Sequence, residues 1–229
     1  TIHKMVTECA AKLADTVAHI KQEIITSPLA HFDETGFRID NKTSWLHSAS
    51  TARHTYLNAQ PKRGFDGMEA AKVLPFFKGI AMHDCWPSYF KYDHMDHAVC
   101  NAHLLRELTG VIENHPDQTW AQEMIALLLK MKTKKEVAIF KDKTSLSGYY
   151  HKLFEAEYTS ILEKGRLCNP FIEKPVGRRG RQGKGKTRAL IERLHNYKAS
   201  VCLFVKNFAV PFDNNLAERD IRMMKVKTK

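Results

Sequence analysis

The stretch Leu29–Gly36, with the sequence Leu-Ala-His-Phe-Asp-Glu-Thr-Gly, decides the fold that we predict. Pro28 ends the preceding helical pattern, and the apolar start of the stretch is typical of a β-strand. The strand carries two adjacent acids, Asp33 and Glu34, whose side chains must point to opposite faces because strand side chains alternate. Only one of the two acids can face a given site, and the alternation does not say which.

The neighbouring segments predict an α/β fold. We predict one amphipathic helix before the strand, then two more strands, a helix, a buried strand, a short helix and a last short strand. Their residues are, in that order, 2–26, 43–49, 54–59, 68–77, 80–82, 87–92 and 98–100. Three strands, helix, strand, helix and strand is the order of a ribonuclease-H-like mixed sheet.

A second acid, Asp84, follows the predicted strand 80–82 in the stretch Gly79–Trp86. Sites in α/β sheets form beyond the carboxyl ends of strands, where Asp84 would lie with Asp33 beside it in mid-strand. Either acid alone is most simply a turn or strand-end residue. Their joint placement on strands that should be neighbours favours a site.

The second half of the chain is predicted to be mainly helical. Helical patterns cover residues 121–130, 146–162 and 189–206, and a loop at 174–188 with seven basic residues, four glycines and no acid interrupts them. A last helix starts near Asn214. We therefore divide the chain into a leading helix, the first part of the core, a helical insertion and a closing core helix, at residues 1–28, 29–110, 111–206 and 207–229.

Glu218, in the first turns of that last helix, has two interpretations. Asn215–Glu218 fits a capping box with Asn215 at the N-cap, and Glu218 could also pair with Arg222 one turn on. From the residues alone the capping role is favoured over a role in a site.

Composition restricts the class of protein. The chain has 229 residues, 43% of them apolar, and its 36 Lys and Arg exceed its 25 Asp and Glu, which gives a formal net charge of +11. Such a surplus indicates a polyanion partner, nucleic acid or an acidic membrane surface, although a generally basic protein is an alternative. The five scattered cysteines favour a reducing compartment, and no apolar run reaches the length of a membrane span. The chain starts without Met and is expected to be a piece of a longer protein.

Two short motifs have weaker interpretations. Cys100 and His103 form a Cys-x2-His pair, which is only half of a zinc site and is matched by no second pair. Residues 180–187 fit the G-x-x-x-x-G-K-[ST] pattern of a phosphate loop. A true phosphate loop follows a buried strand, whereas two prolines interrupt the preceding residues 169–177, so a basic loop that meets phosphate backbone is preferred.

Four linked motifs resemble the insertion-sequence-66 transposase family. They are His31–Gly36, His83–Trp86, Cys100–Leu108 and Pro211–Arg222, and they follow the family's order over nearly the whole chain. The resemblance implies a DDE transposase whose acids fall on Asp33, Asp84 and Glu218. It also implies a helical insertion before the final glutamate helix, and DNA-binding and C-terminal regions that this chain lacks.

The chemistry implied by the resemblance is metal-dependent cleavage and joining of DNA. Asp33, Asp84 and Glu218 would ligate Mg²⁺ or Mn²⁺, as two ions, so that water nicks the element end and the freed 3′ hydroxyl attacks target DNA. The protein's partners would be the DNA of the element ends and of the target, and the protein would form an oligomer on DNA. We expect neither a nucleotide cofactor nor a membrane partner. Such a protein would act in the bacterial cytoplasm, with the nucleoid.

Further side chains are candidates for contacts with phosphate. His103 and Arg106 lie one helical turn apart, although a buried core histidine is an equal interpretation of His103. The other candidates are all basic: Arg222, Arg178, Arg179, Arg181, Lys184 and Lys186. Core packing is preferred over base stacking for four aromatic residues: Trp45, Trp86, Tyr89 and Phe90. Of these, Trp86 is the one to test for a contact with a DNA end. A nuclease or resolvase without joining activity, a nucleotide-binding module and an inactive DNA-binding remnant stay open as alternatives.

Overall fold

The computed structural model of the chain describes residues 1–170 and 185–227, which form two compact units. The first unit joins Thr1–Ala98 to the segment from Asn214 to the end, and the second is Val99–Asp213. The first unit is mixed α/β, and the described part of the second is helical. The predicted division into core, insertion and closing helix stays a prediction.

A five-stranded mixed sheet organises the first unit, which confirms the predicted α/β class. Its strands are β1 (Leu29–Ile39), β2 (Lys42–Ser50), β3 (Thr55–Gln60), β4 (Ile80–His83) and β5 (Asp96–Val99). Their order across the sheet is β3-β2-β1-β4-β5. β2 pairs antiparallel with both β1 and β3, whereas β1 pairs parallel with β4. The strand that carries Asp33 is therefore the central one.

The predicted leading helix is divided in two, α1 (Ile2–Lys12) and α2 (Ala14–Ile25). Leu13 separates them with φ −90° and ψ −3°. Hydrogen bonds from the Leu13 N–H to Cys9 and from the Val17 N–H to Leu13 continue the helical pattern across the break. The interruption is therefore a local distortion of a nearly continuous helix.

The single helix predicted over 68–77 is wrong. The chain forms α3 (Phe65–Ala71), and a separate 3-10 helix follows at Leu74–Phe76. Lys72 ends α3 in the left-handed conformation, with φ +54°, and Pro75 cannot continue an α-helix. The short helix predicted over 87–92 is a 3-10 helix at Tyr89–Lys91.

Helices make up the described part of the second unit. They are α4 (Asn101–Asn114), α5 (Trp120–Phe140), α6 (Gly148–Cys168), α7 (Lys186–Asn196), α8 (Lys198–Val201) and α9 (Leu203–Lys206). The helix predicted over 189–206 is thus divided, with breaks at Tyr197 and Cys202. The last helix, α10 (Asn215–Lys227), belongs to the first unit. Among the described residues, no helix combines the length and the apolar character needed to span a membrane.

Each unit buries its own aromatic side chains. In the first, Phe32 of β1 meets Phe77 edge to face, with ring centroids 5.4 Å apart. In the second, Trp120 is fully buried, and a Cβ added to Gly165 would lie 2.9 Å from its indole ring. The Asn101 N–H donates to the Phe212 carbonyl over 3.0 Å, so the two ends of the second unit are adjacent.

Gly67 of α3 permits a close approach of backbone that no other residue allows. A Cβ there would lie 2.0 Å from the Lys62 carbonyl oxygen and 2.8 Å from His47 Nε2. We expect Gly67→Ala to lower the free energy of unfolding by about 1–3 kcal/mol, as overpacked sites do. Urea denaturation measures this loss.

Gly110→Ala is the matched control, because Gly110 lies within α4 and an added Cβ would meet no atom within 4 Å. This change should stabilise the chain by about 0.5–1 kcal/mol, through the lower entropy cost of ordering alanine in a helix. Equal effects of the two substitutions would contradict the predicted crowding at Gly67.

Candidate active site

The register of two parallel strands places Asp33 beside Asp84. His31 of β1 pairs with Met82 of β4, and each acid lies two residues further along its own strand direction. Because the two acids lie the same number of residues beyond a pair of parallel partners, their side chains point to the same face of the sheet. Neighbouring strands lie about 4.8 Å apart. The two aspartates are therefore neighbours at the carboxyl end of β4.

Asn214 fastens the last helix to the strand that carries Asp33. Its side chain is 2% exposed, and its amide nitrogen donates to the Phe32 carbonyl over 2.8 Å. Its amide oxygen lies 2.8 Å from His31 Nδ1. Because the amide nitrogen faces a carbonyl, the oxygen must accept, so His31 donates from Nδ1. Asn214 thereby sets the position of α10, and with it Glu218, against β1.

The helix start differs from the capping-box interpretation. α10 begins at Asn215, so Asn214 occupies the N-cap position, and Glu218 lies one residue beyond the N3 position that a capping box requires. The Glu218 N–H donates to the Asn214 carbonyl over 3.3 Å. α10 packs against β1 and β2, and Thr55 Oγ1 donates to Asp220 Oδ2 over 2.6 Å.

The pKa of Asp33 depends on its burial and on the charges of neighbouring acids. The pKa is raised to about 7, mainly by burial and then by the charges of Glu34, Asp84 and Glu218, while a hydrogen bond from the Glu34 backbone lowers it in part. Three acids that are far apart in the sequence are thus electrostatically coupled. Among the described residues, their ligand atoms do not form a group that all lie within 4.8 Å of one another.

Glu34 is engaged in a different way, which the sequence did not reveal. Its side chain is 2% exposed. Tyr89 donates its hydroxyl to Oε2 over 2.5 Å, and Arg63 donates to Oε1 from Nε over 3.0 Å and from Nη2 over 2.9 Å. Burial raises the pKa of Glu34, and the bonds to Tyr89 and Arg63 lower it in part. Both carboxylate oxygens of Glu34 therefore have partners within the unit.

His83 supports the turn that carries Asp84. The imidazole is fully buried, stacks on Tyr89 with centroids 4.2 Å apart, and donates from Nδ1 to the Asp84 carbonyl. His83 Nε2 lies 2.9 Å from Nδ1 of His97. The Trp86 N–H donates to Asp84 Oδ1 over 3.1 Å. Side-chain and backbone contacts thus define both the main chain and the carboxylate at this strand end.

The other residues predicted to contact phosphate belong to both units. Arg222 is exposed on α10, while His103 and Arg106 lie on α4 of the second unit, where a ring nitrogen of His103 is within 4.8 Å of the Cys100 sulfur. Lys186 is the exposed first residue of α7. Arg178, Arg179, Arg181 and Lys184 lie outside the described residues, as does most of the phosphate-loop pattern. The roles of all these residues stay predictions.

The family comparison agrees with the four motifs. The model of the family described as "Transposase IS66 family" matches residues 1–229. The chain belongs to this family. No curated protein sequence matches it. The predicted family membership is confirmed, and a transposase family implies an enzyme that processes DNA.

In this IS66 transposase chain, we expect the Asn214 contact to matter for the site as well as for folding. Asn214→Leu keeps the size but removes the partner of the Phe32 carbonyl, which should cost about 1–3 kcal/mol of unfolding free energy. If Glu218 binds divalent metal, as the resemblance implies, the substitution should also weaken Mn²⁺ binding by about 10- to 100-fold, since α10 would lose its fixed position. Chemical denaturation and calorimetric titration measure the two effects.

Met224→Ala, at an exposed position of the same helix, is the control and should change neither quantity appreciably. An Asn214→Leu variant that binds Mn²⁺ as tightly as the unchanged chain would contradict the positioning role.

Asp33 links the stability of this chain to pH. Its pKa is about 7 when folded and near the ordinary 3.8 when unfolded, so the folded state binds more protons between these values. The free energy of unfolding should therefore fall as pH rises from about 4 to about 7, by a few kcal/mol at about 1.4 kcal/mol per pKa unit. Asp33→Asn should flatten this dependence. Identical pH profiles of the two chains in metal-free urea denaturation would refute the assignment.

Proposed function

We propose that this chain is the catalytic region of a DDE transposase, in which Asp33, Asp84 and Glu218 bind divalent metal for cleavage and joining of DNA. The supporting observation is geometric: the parallel register of β1 and β4 puts Asp33 beside Asp84, and the bond from Asn214 to the Phe32 carbonyl holds the helix of Glu218 against β1. Burial is the largest cause of the raised pKa of Asp33, and the charges of Glu34, Asp84 and Glu218 add to it. Buried acids whose charges raise one another's pKa values are characteristic of functional sites, and a bound cation would compensate their repulsion.

A ribonuclease-H-like core is part of the proposal. The sheet order β3-β2-β1-β4-β5, with β1 and β4 parallel and β2 antiparallel to its neighbours, supports it. The helical unit follows β5 in the chain and precedes α10, which supports an insertion ahead of the glutamate helix. We retain 111–206 as the proposed extent of the insertion.

The donor set suits Mg²⁺ or Mn²⁺. Both ions prefer oxygen ligands, and Mg²⁺ keeps several waters while taking one or two carboxylates. Glu34 is the poorer ligand candidate of the adjacent pair, because Tyr89 and Arg63 already bond its two oxygens. For Asp33, burial and the neighbouring charges outweigh a hydrogen bond from the Glu34 backbone, and this difference supports the choice of Asp33 that strand alternation left open.

Two bound divalent ions would activate the attacking oxygen and stabilise the leaving oxygen. The protein's own contribution is to orient the ligands. Asn214 fixes α10 on β1, and His83 together with the Trp86 N–H fixes the turn at Asp84. The proposed reaction consumes water at the element end, releases a 3′ hydroxyl, and then exchanges one phosphodiester bond for another in the target.

DNA is the proposed partner, as element ends and as target, and the net charge of +11 favours binding to it. We also propose an oligomer on DNA, because joining two ends to one target requires two sites. Action on the chromosome would place the enzyme in the bacterial cytoplasm, with the nucleoid.

The test replaces each acid in the complete protein. Asp33→Asn, Asp84→Asn and Glu218→Gln should each lower cleavage and joining of end-containing DNA by at least about 100-fold, since loss of even an outer partner of a metal ligand costs 10- to 100-fold. Asp15→Asn, at an exposed position of α2, removes the same charge and should have little effect.

Metal rescue separates a ligand from a structural residue. Asp33→Cys should be inactive in Mg²⁺ and partly active in Mn²⁺, because a thiolate is too soft a ligand for Mg²⁺. Full activity after replacement of any one acid would contradict the proposal. Cleavage that depends on all three acids but yields no joined product would identify the nuclease or resolvase alternative.

A further inference from the structure

Arg63 lies between aromatic rings and a buried acid in the first unit. It belongs to the loop between β3 and α3, and its guanidinium carbon is 4.4 Å from the ring centroid of Trp86 and 5.0 Å from that of Trp45. Both distances are within the range of cation–π attraction. Glu34 accepts from Nε and Nη2 of the same group. Four side chains thus form one cluster, which we call the Arg63 cluster: Arg63, Glu34, Trp45 and Trp86.

The two members of the ion pair differ sharply in exposure. The Glu34 side chain is 2% exposed, whereas 42% of the Arg63 side chain remains accessible. Tyr89 already satisfies the second oxygen of Glu34. The buried carboxylate therefore anchors one edge of the guanidinium group, while the Arg63 side chain as a whole remains accessible to a ligand.

The loop that carries Arg63 is held in place before any ligand arrives. His47 Nε2 lies 3.2 Å from the Lys62 carbonyl oxygen, and the Gly67 N–H donates to the Gly64 carbonyl over 2.9 Å. Lys62 Nζ bonds Asp66 over 2.7 Å. A positively charged group fixed in this way loses little conformational entropy on binding, which favours affinity.

The Arg63 cluster adjoins the proposed metal-binding acids along the chain. Glu34 and Asp33 point to opposite faces of β1, but they are consecutive residues, and the charge of Glu34 raises the pKa of Asp33. Trp86 is two residues after Asp84, whose carboxylate accepts the Trp86 N–H. A strand of DNA whose scissile phosphate lies at the acids carries further phosphates to either side, one for about every 3.4 Å of helix axis.

We propose that Arg63 binds a backbone phosphate of DNA beside the scissile bond, an inference that rests on the proposed function for the identity of that strand. Two of the five N–H donors of the guanidinium group are used by Glu34. The remaining planar donors match phosphate oxygens, and the indole rings of Trp45 and Trp86 define the plane of the group. Glu34 acts as a positioning residue for Arg63. The alternative is a purely structural ion pair that neutralises buried Glu34.

DNA binding without divalent metal tests this assignment independently of catalysis. The probe is a short duplex with a single-stranded 3′ end, titrated in chelator at several salt concentrations against the complete protein. Arg63→Gln should weaken binding and reduce the slope of log K against log salt by about 0.9, the value expected for one lost phosphate contact. Arg63→Lys should keep most of the slope, because it keeps the charge.

Two further variants separate binding from folding. Arg63→Gln leaves Glu34 buried without its cation, so the double variant Glu34→Gln, Arg63→Gln removes both charges and should recover thermal stability while its slope stays reduced. Lys12→Gln, at an exposed position of α1, removes one charge elsewhere in the unit and should leave the slope closer to that of the unchanged protein than Arg63→Gln does.

The outcomes are distinct. A salt slope unchanged in Arg63→Gln and in the double variant, with only a lower melting temperature in the single variant, would make the pair structural and overturn the proposal. Asp33→Asn in the same titration should keep the full slope. Should Asp33→Asn cleave DNA normally while Arg63→Gln loses its phosphate contact, the metal assignment would fail and the phosphate site would stand.

Discussion

The burial of neighbouring carboxylates is the main physical constraint on the first unit. Four acids lie around the end of β4: Asp33, Glu34, Asp84 and Glu218. Burial and the charges of the others raise the pKa of Asp33 to about 7. A fold tolerates such a cluster only when other contacts provide the stability that it removes, and natural proteins accept this cost at functional sites. Buried hydrogen bonds of Glu34, His83 and Asn214 lie around the cluster.

Those contacts divide the acids into two kinds. Arg63 and Tyr89 satisfy Glu34 inside the unit, whereas burial and neighbouring charges raise the pKa of Asp33 in spite of a hydrogen bond from the Glu34 backbone. The distinction matters because a buried hydrogen bond contributes modestly when made but costs more when one partner is removed. The hydrogen bonds of Asn214 are buried bonds of this kind. Its side-chain amide bonds both His31 and Phe32 and thereby couples the last helix to the central strand.

The second unit owes its stability to its own packing. Trp120 is buried against Gly165, and Tyr158 donates its hydroxyl to the Leu194 carbonyl over 2.9 Å. The bond between Asn101 and Phe212 brings the entry and exit of this unit together. A segment whose ends are adjacent can be inserted between two elements of another fold with little disturbance, as is common for inserted domains.

The amino-acid sequence by itself determined the α/β class, the central strand, the strand that ends before Asp84 and the family. These features depend on local patterns: alternation, helical spacing, prolines and short motifs. The sequence was misleading where the folded chain departs from the local helical pattern. The helix predicted over 68–77 is interrupted at Lys72, which adopts a left-handed conformation.

Only the tertiary structure decided how Asp33 and Glu34 differ. Alternation placed them on opposite faces but could not say which face holds a partner, because Arg63 and Tyr89 are 29 and 55 residues from Glu34. Nor could any local pattern assign Asn214, whose partners lie more than 180 residues away. Burial and charge compensation depend on contacts between distant segments, and the folded chain alone defines those contacts.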